Sequence, residues 1–570
     1  MKKVFAILTA IALTIGTVPA WGQEEQGEKG LKQDLVVLYT SDVHCGVTKG
    51  FGLDGLWQIR KAFEDKGNYT LLVDDGDFIQ GEPVGLLTDG EALADLMNEM
   101  GYDIATPGNH EFDYGMEQFL KLAKEADFPY ISANFNKDGE LIFPPYVIEE
   151  FDGVKIAFVG VTTPESLTSV NPKYFQDEDG NFIYDFYQGE SGELFYSKIQ
   201  EAVDSARAEG ADYVLAMCHL GNLSESKPYD SESLIRNTTG IDVVMDGHSH
   251  DSDQMIAKNK DGQEVPRTAC GTKLENIGVV TIKTDGSIET GLFHYDLPMP
   301  AQEAFDLHNL ISLELRDVMN VVSELLDHKV GFTSASLVSR DPAVKDKNGN
   351  PVRLVRNRET NLGDFFADAL RSVMEADIGL LNGGAIRDDL AAGDITYTGL
   401  LTISPFGNTM SVLEVTGQQL LNGLEWGARK VPEEFGGFLQ VSGLTYEIHT
   451  DIPNSCKEDR NGMFVGVDGE YRVQNVLVNG EPLDLEKTYT VAGNSFILQD
   501  HGDGYTAFDG CTVYQNASMQ DIEVLLAYLE QLNGVVGQEY KNPYGQERIL
   551  RVEGADSSDQ QSGADSEEAA

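Results

Sequence analysis

One repeated unit constrains this chain more than any other feature. A short continuous apolar run is followed by a glycine-bearing polar loop and then by helical periodicity, beginning at Asp34. The runs are Leu35–Tyr39, Thr70–Val73, Val154–Val161, Tyr213–Met217 and Ile241–Met245, all aliphatic, aromatic or β-branched. A run without polar alternation suits a strand buried on both faces beneath helices, as in parallel sheets. The unit predicts a layered α/β region reaching to about residue 300.

The loops carry the polar chemistry. Asp42-Val43-His44 follows the first run and Asp77 the second. Asn109-His110-Glu111 and Asp113 follow Ala105-Thr-Pro-Gly, His219 follows Met217-Cys218, and His248-Ser249-His250 follows Val244-Met245-Asp246-Gly247. In parallel α/β sheets ligands bind beyond the C-terminal strand ends, so these side chains converge. The adjoining glycines permit close backbone approach. Mixed carboxylate and imidazole donors suit Zn²⁺, Mn²⁺ or Fe²⁺ rather than Ca²⁺. Singly each segment is weak, since a lone Asp-x-His is usually a surface loop; five in one order are not explained by chance. Asp74 and Asp75 read as strand-end polar residues.

A chain of 570 residues calls for roughly two to four domains. Lys2 and Lys3 precede an apolar run from Val4 to about Val18, and Val18-Pro19-Ala20 has the small-residue pattern of a cleavage site. Residues 1–20 therefore read as a secretory signal peptide and 21–33 as a polar leader. The expected location is exported: periplasmic, cell-surface or secreted, with no transmembrane segment in the mature chain. Residues 34–300 form the first domain. Residues 301–329, with Ile311, Leu315, Val318, Val322 and Leu325 at helical spacing, read as a linker helix. Residues 330–553 form a second α/β block, and 554–570 an acidic disordered tail. Acidic residues outnumber basic ones by 94 to 41, which excludes general binding of nucleic-acid polymers. An anionic substrate must then be drawn in by local cations. Five cysteines argue against a disulfide framework, although Cys456 and Cys511 remain a possible pair. Cys45 and Cys218 read as small buried apolar residues.

Asp-x-His, Gly-Asp, Gly-Asn-His-Glu, His-x-Gly and Gly-His-x-His, in this order, resemble the calcineurin-like metallophosphoesterases. Asn361-Leu362-Gly363-Asp364, Asn382-Gly-Gly-Ala-Ile-Arg387, Pro405-Phe406-Gly407 and Gly502-Asp503-Gly504-Tyr505 resemble the C-terminal domain of the 5′-nucleotidase family. The resemblance covers roughly residues 34 to 550. It implies a four-layer metallophosphoesterase sandwich of β-sheets flanked by helices, linked by a helix to an α+β substrate-binding domain. It also implies two divalent metal ions, zinc or manganese. One would be held by Asp42, His44, Asp77 and His250, the other by Asp77, Asn109, His219 and His248, with Asp77 bridging. His110 and Asp113 would form a catalytic dyad beside a metal-activated hydroxide.

The same resemblance implies that Asn382, Arg387, Asp503 and either Arg356 or Arg358 contact the substrate, and that Phe406 stacks on a nucleobase. The second stacking ring falls near position 497, which is Ile497; Phe496 is one place off. The implied activity is hydrolysis of nucleoside 5′-monophosphates. Alternatives of the same chemistry are 2′,3′-cyclic-nucleotide phosphodiesterase with 3′-nucleotidase activity, and UDP-sugar or NAD hydrolysis. A non-catalytic binding scaffold is the alternative of another class. A thiosulfohydrolase of similar architecture fits the Asn-Gly-Gly-x-Ile-Arg and Pro-Phe-Gly motifs poorly.

Overall fold

The computed structural model describes residues 29–189, 191–223, 226–295, 326, 328–345 and 351–553. The signal peptide, most of the leader, nearly all of the linker helix and the acidic tail lie outside the described residues. Residues 29–33, expected as leader, are tied to the body. Leu31 is buried, and the Lys32 ammonium meets Asp152 at 2.8 Å.

The apolar runs form strands Leu35–Thr40, Tyr69–Asp74, Val154–Thr162, Tyr213–His219 and Val243–Asp246. They divide between two mixed sheets. Leu35–Thr40 pairs in parallel with Tyr69–Asp74 inside a five-stranded sheet. Tyr213–His219 lies between Val154–Thr162 and Val243–Asp246, parallel to both, inside a six-stranded sheet. Successive strand residues point to opposite faces, and here both faces are apolar. Leu35, Val37 and Tyr39 pack with Phe158, Leu215 and Met245 in a core between the sheets. Val36 and Leu38 pack outward with Leu53, Leu56 and Leu96 from helices Gly52–Glu64 and Glu91–Met100. On the far side Val159, Ala216 and Val244 meet Ile199 and Val203 of helix Glu193–Ala208. The result is four layers: helix, sheet, sheet, helix.

The C-terminal half repeats the principle with a different topology. Its five-stranded sheet runs in the order Leu439–Ser442, Ile378–Asn382, Thr488–Asn494, Thr409–Thr416, Thr512–Gln520. Helix Asn361–Val373 covers one face and helix Gly417–Ala428 the other. Asn382 thus ends a buried strand, as the metal-site candidates do. All five cysteines, Cys456 and Cys511 included, are free thiols.

One buried ion pair ties two of the site loops together. Asp246 Oδ1 accepts from the backbone N–H groups of Leu220, Gly221 and Gly247 at 3.0–3.1 Å. Its Oδ2 is held by Arg267 at 3.0 Å, and both side chains are fully inaccessible. Arg267 also pairs with Asp253. Removing one partner strands a buried charge. Arg267→Ala should therefore lose about 3–5 kcal/mol, measured as a lower urea midpoint for loss of the N-terminal half's circular dichroism.

Candidate metal centre and substrate cleft

The donors proposed from sequence meet at the strand ends. Asp42, His44, Asp77, His248 and His250 all take positive φ, between 47° and 76°. Non-glycine residues seldom adopt this region, and its concentration at one place marks a strained functional loop cluster. The strain is supported from behind by Glu111. Its carboxylate, 1% exposed, accepts the N–H groups of Asp77, Phe78 and Gly108 at 2.7–2.8 Å. Two neighbouring glycines leave no room for a side chain. A Cβ at Gly108 would strike the Asp77 carboxylate, and one at Gly247 would come within 2.9 Å of both Asp42 and His219.

Among the described residues three groups of potential ligand atoms lie within 4.8 Å of one another: Asp42, His44 and His250; Asp77, His219 and His248; and His44, Asp77 and His110. His44 donates Nδ1–H to the Gln80 carbonyl at 2.9 Å, which leaves Nε2 as a lone pair 3.0 Å from His250 Nε2. His219 likewise donates Nδ1–H to the Asp75 carbonyl at 2.7 Å. Its Nε2 is buried without a hydrogen bond, 3.1 Å from Asp77 Oδ2 and 3.9 Å from Asp42 Oδ1. Asn109 Oδ1 faces His248 Nδ1 at 2.9 Å. Lone pairs and carboxylate oxygens that face one another across a buried gap are a donor set that divalent cations satisfy.

Burial and neighbouring Asp77 push Asp42 up to about 7 against the pull of His219. Burial strips the proton from His44 and His250, holding both well below the ordinary imidazole range. Burial pushes His219 the same way, but Asp77 and Asp42 together raise it well above that range. Asp75 is pushed well up by burial and by Asp74, and its carboxylate has no hydrogen-bond partner.

His110 Nδ1 contacts Asp113 Oδ2 at 2.6 Å, and the His110 backbone N–H donates to Asp77 Oδ1 at 2.8 Å. The dyad is thus anchored to the residue shared by two of the donor groups.

The C-terminal half closes the other side of one cleft of about 570 Å³. Arg356, Arg387, Asn382, Phe406, Phe496 and Asp503 line it together with Asp77, Asn109, His110 and His248. Arg358 does not. Its side chain is exposed outside the cleft, because the backbone turns between the two arginines as Arg358 N–H closes on the Leu354 carbonyl. Phe496 lines the cleft, whereas Ile497 is fully buried in the core behind it. The Arg356 and Arg387 guanidiniums are pushed down, to about 9 and about 10, first by burial and then by Arg353. Arg356 Nε is buried without a partner. Three crowded cations, one with an orphaned donor, form an anion-seeking site. Arg387 also lies 5.6 Å over the Phe406 ring, and Phe406 sits 5.9 Å from the His110 ring. Asp503 accepts from Asn382 Nδ2 at 2.8 Å.

Sequence reasoning passed over Arg353, Asn408 and Glu165, all in the cleft. Glu165 Oε2 lies 2.8 Å from His248 Nε2. Its signal was available, because Thr163-Pro164-Glu165 follows the one apolar run to which no candidate was assigned. Arg353 gave no comparable signal, lying three residues before Arg356 on strand Pro351–Arg353.

This centre and cleft define a metal-dependent phosphoester hydrolase. Residues 35–252 match the family model described as calcineurin-like phosphoesterase, and residues 330–510 match that of the 5′-nucleotidase, C-terminal domain. The chain belongs to the family that joins these two domains. It is 28% identical to Protein UshA of Yersinia enterocolitica over 93% of this chain and 97% of that one. It is also 28% identical to a 5′-nucleotidase of Vibrio parahaemolyticus, over 89% and 90% respectively. The crystal structure of a 5′-nucleotidase precursor from Thermus thermophilus superposes with a TM-score of 0.74 at 26% identity, covering 91% of this chain and 99% of that one.

Ligands that bind only the folded state stabilise it by mass action, by about 2.7 kcal/mol per ion at a hundredfold excess over Kd. Adding Mn²⁺ to chelator-treated protein should raise the melting temperature of the N-terminal half, read by calorimetry, and His219→Ala should weaken that response.

Proposed function

We propose that the protein hydrolyses nucleoside 5′-monophosphates to nucleoside and phosphate. The observation that carries this reading is the shared cleft, where strand-end imidazoles and carboxylates of one half face guanidiniums, phenylalanine rings and a buried carboxylate of the other. Asp42, His44, Asp77 and His250 hold one divalent ion; Asp77, Asn109, His219 and His248 hold the second. The mixed donor set suits zinc or manganese. Two such ions supply Lewis acidity and activate water towards phosphorus.

The chain's own groups do the rest. Arg353, Arg356 and Arg387 draw the phosphate end of the substrate into an acidic protein. His110, tied at Nδ1 to Asp113, offers Nε2 to a phosphoryl or leaving oxygen. Phe406 and Phe496 take the base between them, a sequence-tolerant contact. Asp503 accepts a hydrogen bond from the nucleoside. The 5′-nucleotidase named among the relatives supports this substrate class. The reading includes export, supported by the basic-then-apolar segment 1–20. Among the described residues no helix is long and apolar enough to cross a membrane.

A panel of AMP, 3′-AMP, 2′,3′-cyclic AMP, UDP-glucose and NAD tests the reading through phosphate release and product analysis. AMP should give the highest kcat/KM, and Asp113→Asn should lower its kcat by about 10²–10⁴-fold. A higher kcat/KM for UDP-glucose or the cyclic nucleotide would sink the monophosphate assignment.

Burial pushes Asp503 up to about 6, against the Asn382 hydrogen bond and Arg356. The ionised carboxylate is a stronger acceptor than the protonated acid, so binding is strongest above that pH and weakens as the pH falls through it. Inhibition by adenosine, the product, should weaken below about pH 6, by at most about tenfold per pH unit for one linked proton. In Asp503→Asn that dependence should vanish.

A further inference from the structure

We propose that Glu165 is a positioning residue for His248: by accepting its Nε2–H it fixes Nδ1 as the nitrogen presented to the donor cluster. The inference rests on the dinuclear reading above and assigns a role to a residue outside the three donor groups. Both atoms that face the His248 ring are acceptors. Asn109 Oδ1 is 2.9 Å from Nδ1, and Glu165 Oε2 is 2.8 Å from Nε2. A neutral imidazole carries one proton and can serve only one of them. A hydrogen bond to a carboxylate is roughly twice as strong as one to a neutral amide oxygen, so the proton belongs on Nε2. The Nδ1 lone pair then meets the lone pair of Asn109 Oδ1, an arrangement that needs a cation between them.

Glu165 is rigid enough for this task. It leaves the C-terminal end of strand Val154–Thr162, and its N–H donates to Thr163 Oγ1 at 3.2 Å. Its carbonyl accepts from the N–H groups of Thr168 and Ser169 at 3.0 and 2.8 Å. The contrast with the other imidazoles is informative. His44 and His219 are oriented by backbone carbonyls on Nδ1 and present Nε2. His248 presents the opposite nitrogen, and its orienter is a charged side chain that a single substitution can remove. A carboxylate behind a ligating imidazole raises the basicity of the ligand and fixes its tautomer. Loss of Glu165 should therefore weaken selectively the ion on the side of His248, His219 and Asn109.

The test is Mn²⁺ titration of the chelator-treated full chain, with free Mn²⁺ read by electron paramagnetic resonance, on wild type, Glu165→Gln and Glu165→Ala. Wild type should take up two ions. Glu165→Ala should keep one at wild-type affinity and bind the other about 10–100-fold more weakly. Glu165→Gln, which retains an acceptor without the charge, should fall between them. In Glu165→Ala, kcat for AMP at fixed Mn²⁺ should fall while KM holds, and the melting temperature of the metal-free form should match wild type. Two ions at wild-type affinity in Glu165→Ala would overturn the inference. So would equal weakening of both ions together with a lower metal-free melting temperature, which marks a structural role. A wild type that takes up fewer than two ions would instead refute the dinuclear reading itself, and this inference with it.

Discussion

Burial of carboxylates at strand ends is the constraint on which the rest of the structure depends. Asp42, Asp74, Asp77, Glu111 and Asp246 are all essentially inaccessible to solvent. An ionised carboxylate away from water is costly unless it is paired or collects hydrogen bonds. The fold answers this in three ways. Glu111 collects backbone N–H groups, and Asp74 is held by Thr40 Oγ1 and the Gly76 N–H. Asp246 is paired with Arg267. Asp42 and Asp77 are left facing the clustered ring nitrogens of His44, His219 and His250. The first two solutions are complete within the chain and keep the loops rigid at strained backbone angles. The third is complete only with a cation, so the structural residues support the pair that remains available for chemistry.

Much of this was legible in the sequence because burial on both faces of a strand leaves a mark that needs no alignment. A run such as Leu35–Tyr39 feeds two cores at once, so every position must be apolar, and the polar residue that ends the run stands out. Donors that follow such runs are therefore readable. Donors that belong to no run are not. Arg353 and Arg356 stand near each other on a surface-like basic stretch, and only the fold turns them into the cleft while Arg358 turns out. Glu165 was missed for the opposite reason: it obeys the strand-end rule but touches the His248 ring instead of joining the donor groups. The Phe496 and Ile497 ambiguity was a one-residue question of phase on the short helix Ser495–Leu498, which packing decides and periodicity cannot.

The two halves divide the electrostatic problem between them. The chain carries a formal charge of −53, yet the C-terminal side of the cleft is lined by Arg353, Arg356, Arg387, Arg429 and Lys430. Buried or half-buried cations concentrate their field because little solvent screens them, whereas the many surface carboxylates are screened within roughly 10 Å. The local sign of the cleft is therefore set by a few arginines, not by the net charge. Arg429, packed 3.4 Å from the Trp426 ring and 3.7 Å from Phe435, stiffens the wall that bears Asp503, since Trp426 Nε1 donates to the Asp503 carbonyl at 2.9 Å.

The site exists only where the halves meet. Neither sheet system alone brings His110 within ring contact of Phe406. The contacts that hold the halves together differ on the two sides of the cleft. On one side helix Pro83–Thr88 lies against helix Tyr397–Ile403, and Leu86 packs at Gly407. On the other, Lys173 meets Asp500 at 2.5 Å and Gln188 meets Asn461 at 3.2 Å. Lys173 is 58% exposed, and an exposed ion pair contributes about 0–1 kcal/mol because water replaces it readily. Apolar contacts have no such replacement. The exposed Lys173–Asp500 pair therefore contributes less to holding the halves together than the packing of Leu86 at Gly407.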